Sequence, residues 1–101
     1  MGRIYSKEEP SYFTVNSLEK LQDVFDDDIT NKIIVIKLND VLFNEESYNL
    51  FSKIVNKTRY LRINIVKTNK KYKSTYDYYC AANVFREHYG NKSDIHFTTV
   101  C

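Results

Sequence analysis

The run Ile33-Ile34-Val35-Ile36 constrains this chain most. Four β-branched residues in succession are stiff at χ1 and favour an extended backbone. The run is too short for a buried helix, so residues 32–39 are predicted to form a central strand. A weaker strand pattern precedes it at residues 12–15, with Phe13 and Val15 on one side. Two more follow. Residues 60–67 alternate, with Leu61, Ile63 and Ile65 on one side and Arg62 and Asn64 on the other. Residues 95–100 close the chain, with Ile95 and Phe97 expected inward and His96 outward.

Helical patterns fill the gaps between these strands. Asn16 is predicted to cap the first helix, with Glu19 completing a capping box and Leu18, Leu21, Val24 and Phe25 forming the stripe. Asp26, Asp27 and Asp28 oppose the helix dipole and end it. Asn44 caps the second, which has Glu45 and Glu46 in its first turn and buries Ser47, Leu50, Phe51, Ile54 and Val55. Ser74 or Thr75 caps the third, whose stripe is expected to be Cys80, Ala81, Val84, Phe85 and His88, with Gly90 as a left-handed C-cap.

The resulting β-α-β-α-β-α-β order predicts an α/β fold, a small two-layer sandwich. A four-stranded, mostly parallel sheet would carry its three helices mainly on one face. Arg62 and Asn64 side by side argue for the open face, because a strand covered on both sides would not carry them. Residues 1–10 are expected to be a flexible N-terminus and residues 11–101 a single domain. Two glycines and one proline in 101 residues exclude collagen-like chains and long flexible linkers.

A repeat reading lays Ile36-Lys37-Leu38-Asn39 over Leu61-Arg62-Ile63-Asn64, at a leucine-rich-repeat-like distance. The stretch IIVIKLNDVLFNEESYNLFSKIV, residues 33–55, also resembles the strand–turn–helix of STAS domains, the anti-sigma-antagonist fold. The resemblance covers about a quarter of the chain and implies a βα topology. It places Ser47 near that family's phosphorylatable serine, although Asn44-Glu45-Glu46 and Tyr48 stand where the family has small residues.

Charge is distributed unevenly. Residues 1–50 carry five Lys or Arg and ten acids, whereas residues 51–101 carry ten Lys or Arg and three acids. Such asymmetry points to an interacting surface. The basic part gathers around Lys57, Arg59, Arg62, Lys67, Lys70, Lys71 and Lys73, interleaved with or followed by Tyr60, Tyr72, Tyr76, Tyr78 and Tyr79. Cations with aromatic faces suit an acidic protein partner, where Tyr and Arg are enriched. They also suit phosphate contact and base stacking. The residues expected to bind a partner are Arg59, Arg62, Lys67, Lys70, Lys71, Tyr72, Lys73, Tyr76 and Tyr79.

Catalytic motifs are missing. No glycine-rich phosphate loop, GxSxG, HExxH or CxxC occurs. Asp26–Asp28 are consecutive, so their side chains diverge, and no glycine-containing calcium loop frames them. No metal, no cofactor and no enzymatic activity are therefore expected. No run of about 20 apolar residues exists to span a membrane. With Met1 followed by no apolar leader and only Cys80 and Cys101 as cysteines, a cytoplasmic protein in a reducing compartment is expected. Lys, Asn, Tyr and Ile supply 39 of the 101 residues, a usage associated with AT-rich genomes. The function expected is a non-enzymatic protein-binding module, a small phage or mobile-element inhibitor of anti-defence or immunity type. A nucleic-acid-binding module and a STAS-like signalling module are the alternatives, and an exposed edge strand invites a homodimer.

Overall fold

The computed structural model describes residues 9–67, 74–88 and 92–99. Strand β1 (Ser11–Val15) leads to helix α1 (Leu18–Asp26) and strand β2 (Ile33–Asn39). A 3₁₀ turn (Asp40–Leu42) precedes helix α2 (Glu45–Lys57), then strand β3 (Tyr60–Lys67), helix α3 (Thr75–Glu87) and strand β4 (Ser93–Thr99). The four strands form one sheet in the order β1-β2-β3-β4, and every neighbouring pair is parallel. Each helix therefore returns the chain to the strand beside the one it left. Connections of constant hand stack all three helices on one side.

Burial is deepest on the helix side of the central strands, though Val35 and Val66 on the other side are also buried. Ile34, Ile36 and Leu38 of β2 and Leu61, Ile63 and Ile65 of β3 are fully buried under the helices. Leu21 and Val24 of α1, Leu50, Phe51, Ile54 and Val55 of α2, and Tyr78, Ala82 and Phe85 of α3 complete the core. Phe85 joins the helices through rings, its centroid 4.9 Å from Phe43, 5.1 Å from Tyr48 and 5.0 Å from Phe51. The edge residues Phe13 and Ile95 pack against this core from the two outer strands.

The caps explain where the helices start. Asn44 accepts the Ser47 amide at 3.0 Å as predicted, and of the two candidates at α3 it is Ser74 that caps, accepting the Asp77 amide at 3.2 Å. At α1 the cap is Ser17 and not Asn16, and it accepts the Lys20 amide at 3.2 Å. The first strand runs to Val15, so the helix begins one residue later and the box with Glu19 does not form. Between α1 and β2, Asn31 takes a left-handed conformation (φ 60°), which asparagine tolerates, and donates its amide to the Lys57 carbonyl at 2.8 Å.

Helix α3 is rotated from its predicted setting. Tyr78, Ala82 and Phe85 face the sheet, whereas Cys80 is exposed, Val84 is 49% exposed and His88 lies outside the core. Tyr78 and Phe85 fill the space over β3 and β4, and only one flank of the helix fits there. Gly90 and Val100 lie outside the described residues. The repeat overlay is displaced by two residues, since Ile36 pairs with Ile63 and not with Leu61. The pairing distance also lengthens along the chain, from Ser11–Ile34 to Ile34–Leu61 to Leu61–Ser93, so no constant repeat exists.

Candidate interaction surface

Parallel registration sets in rows the side chains of the face that no described helix covers. One row crosses the sheet as Tyr12, Val35, Arg62 and Asp94, and the next as Thr14, Lys37, Asn64 and His96. Tyr12, Lys37, Arg62 and His96 are exposed, while Val35 lies flat between its neighbours at 8% exposure. Lys37 and Arg62 stand on the two central strands, with a backbone ladder on each side, and Tyr12 and His96 on the two outer strands.

Asp94 organises the β3–β4 side. Its carboxylate lies 3.0 Å from His96 Nε2 and 3.9 Å from Arg62 Nη2, and accepts the Tyr60 hydroxyl at 3.3 Å. The contact with His96, then the charges and hydroxyl around it, hold the Asp94 carboxyl below the usual carboxylate range despite some desolvation. Burial, then the neighbouring Asp94, pushes the Tyr60 phenol up. The arrangement fixes Arg62 and His96 in place and neutralises part of the Arg62 charge.

The residues expected to bind a partner divide between two sides of the sheet. Arg62 stands on the open face. Arg59 is exposed in the turn before β3, its amide donating to the Lys32 carbonyl at 2.9 Å. Lys67 points to the helix side, with Nζ 5.3 Å from the centre of the Tyr78 ring. Tyr76 and Tyr79 are exposed on α3, in the helix layer. Lys70, Lys71, Tyr72 and Lys73 lie outside the described residues.

Two further cations of the basic half serve the fold. Lys57 donates to the Phe25 carbonyl at 2.6 Å and lies over the Phe25 ring, at the C-terminal end of α1. Lys92 donates to the Val55 and Thr58 carbonyls at 3.2 and 2.8 Å, at the C-terminal end of α2. Both positions satisfy orphan carbonyls and the helix dipole.

The alternation of residues shows Arg62, Asn64 and His96 as outward, but not that Tyr12 and Lys37 lie in the same rows. Strand phase is visible in the alternation of residues; which residue lies beside which depends on register.

At the carboxyl ends of β1 to β3, Thr14, Val15, Asn16, Lys37, Asn39 and Val66 line a pocket of about 130 Å³. Open parallel sheets bind ligands at this end, but drug-sized ligands need roughly 300 Å³ or more.

Ser47, the residue aligned with the STAS serine, is fully buried. Its hydroxyl has no hydrogen-bond partner among the described residues. No group of three metal-ligating side chains occurs among the described residues, and no described helix is long and apolar enough to cross a membrane. Compared with protein-family models, with curated proteins and with solved structures, the chain matches none.

Proposed function

We propose that this chain is a non-catalytic binding protein whose contact surface is the uncovered face of its sheet. The supporting observation is that no described helix covers that face. All-parallel sheets are ordinarily covered on both sides. Here one side presents Tyr12, Lys37, Arg62 and His96 in fixed rows. A preorganised surface loses little side-chain entropy on binding. Tyr and Arg are the residues that most often dominate protein interfaces.

A protein partner with an acidic segment fits better than nucleic acid. Continuous phosphate contact needs a track of cations. On this face Lys37 stands alone in its row, and Arg62 already faces Asp94. Small size and AT-rich residue usage extend the proposal to an inhibitor of anti-defence or immunity type, acting by occupying its target.

The test is affinity capture with the wild-type chain and two charge-reversal variants. Lys37→Glu with Arg62→Glu should lose the captured protein, whereas Lys53→Glu in the helix layer should retain it. Equal capture by both variants would count against the sheet face. Single- or double-stranded oligonucleotides bound more tightly than about 10⁻⁴ M at physiological salt would favour nucleic acid instead.

A further inference from the structure

Three exposed aromatic residues gather beside β4. Tyr76 and Tyr79 of α3 and Phe97 of β4 are each at least 39% exposed. β4 is also an edge strand, with no strand on its outer side among the described residues. We infer that the β4 edge and the adjoining flank of α3 form a two-fold symmetric interface with a second copy of this chain.

Ring contacts identify the two flanks of α3. His88 stacks on Tyr48 of α2, with centroids 4.3 Å apart and planes at 15°, so that flank faces inward across the helix layer. Tyr79 meets Phe97 edge-on at 4.5 Å, so the opposite flank overhangs the sheet edge. Helical spacing puts Asn83 and Arg86, four and seven residues after Tyr79, on that same overhanging flank. Both are exposed.

This flank is complementary to itself. It carries an aromatic ring at one end, an amide in the middle and a guanidinium at the other end. A two-fold axis normal to the sheet lays two α3 helices antiparallel. Each Tyr79 ring then receives the Arg86 of the other copy, and the two Asn83 side chains meet near the axis. Guanidinium over a tyrosine ring is favourable, more so when water is excluded. The same axis pairs the β4 edges antiparallel. The strand offers a carboxylate and an imidazole two residues apart on its open side, Asp94 and His96. Antiparallel reversal sets each carboxylate toward the other copy's imidazole. Backbone groups at both edges gain partners, which is the general route of edge-strand association.

The other end of the sheet is a poorer match for this surface. β1 exposes Tyr12, but the helix above it exposes Glu19, Asp23 and Asp26. Head-to-tail stacking would set those carboxylates against Tyr79 and Phe97 and desolvate them without compensation. Two-fold closure also ends at a dimer, the commonest symmetric assembly. The interface lies on the rim of the sheet and takes Asp94 and His96 from the β4 edge, so it leaves Tyr12, Lys37 and Arg62 of the open face free.

Sedimentation of the full chain from micromolar to millimolar concentration tests this. A monomer–dimer equilibrium is expected. Tyr79→Ala and Arg86→Ala should each weaken it about tenfold, and the double variant should weaken it by less than the product of the two. Both side chains are exposed, and circular dichroism checks that the variants stay folded. In a Cys80→Ser, Cys101→Ser background, Asn83→Cys should form an intermolecular disulfide on mild oxidation faster than Lys20→Cys. A monomer at all concentrations, growth beyond dimers, additive variants or equal cross-linking rates would overturn the interface. None of these results bears on capture by the sheet face, so the two proposals fail separately.

Discussion

Ser47 shows what one hydroxyl does in this fold. It sits at the third residue of α2, where the Asn44 side chain takes its amide, and its own Oγ is enclosed without a partner among the described residues. A buried unsatisfied hydroxyl costs about 1 kcal/mol or more. Ser47→Ala should therefore raise the unfolding free energy by about 1 kcal/mol, read from urea midpoints. Ser47→Asp should lower it by about 3 kcal/mol through a buried carboxylate. A stable Ser47→Asp variant would mean that this segment opens easily enough to be modified. Asp94 is the second informative residue. Its folded pKa is depressed, so the stability it contributes is present above the unfolded value of about 3.9 and is lost as pH falls through the folded value. Asp94→Asn should be less stable than wild type at neutral pH, and the gap should close on acidification. A gap that stays constant with pH would show that the carboxylate charge contributes nothing.

At the scale of elements, caps and strands were legible and helix rotation was not. Asn44 and Ser74 act through contacts three residues away, so their pattern survives in any tertiary setting. The α1 start moved from Asn16 to Ser17 because two adjacent residues were both competent caps. Of the expected α3 stripe only Phe85 is fully buried, because apolar residues occur all round that helix: Tyr76, Tyr78, Tyr79, Cys80, Ala81, Ala82, Val84 and Phe85. Periodicity then names no single face, and the space beside Phe43, Tyr48 and Phe51 selects Phe85 and Tyr78. The end of α2 was equally hidden. Lys92 caps it from 37 residues away, so its charge reads in sequence as one more surface cation. Lys92→Met keeps most of the stem and removes the donor, and should cost about 1 kcal/mol in chemical denaturation. An unchanged midpoint would assign that end of α2 to solvent.

Across the whole molecule, strand order equals chain order. The sequence therefore maps directly onto the direction across the sheet, and an acidic first half followed by a basic second half becomes a spatial gradient. That gradient is weakened where Lys57 and Lys92 cap helices and where Arg62 faces Asp94. The same order gives a layered, nearly one-dimensional stability. β2 and β3 have strands on both sides and α2 above them, whereas β1 and β4 have one neighbour each. Native-state hydrogen exchange should find the slowest amides in β2 and β3, with β1 and β4 opening earlier. Uniform protection across all four strands would contradict this and indicate a single cooperative unit.

The sequence by itself determined the element types, their order and the one-sided sheet. Those follow from local propensity, alternation and the short chain returns between neighbouring elements. Tertiary structure decided the register, the rotation of α3 and the use of each cation. Each depends on which distant atoms come within a few ångströms, such as Asp94 against Tyr60 and Lys92 against the end of α2. Contacts of that kind leave no local pattern in the chain, because the two partners are joined only through the packed core.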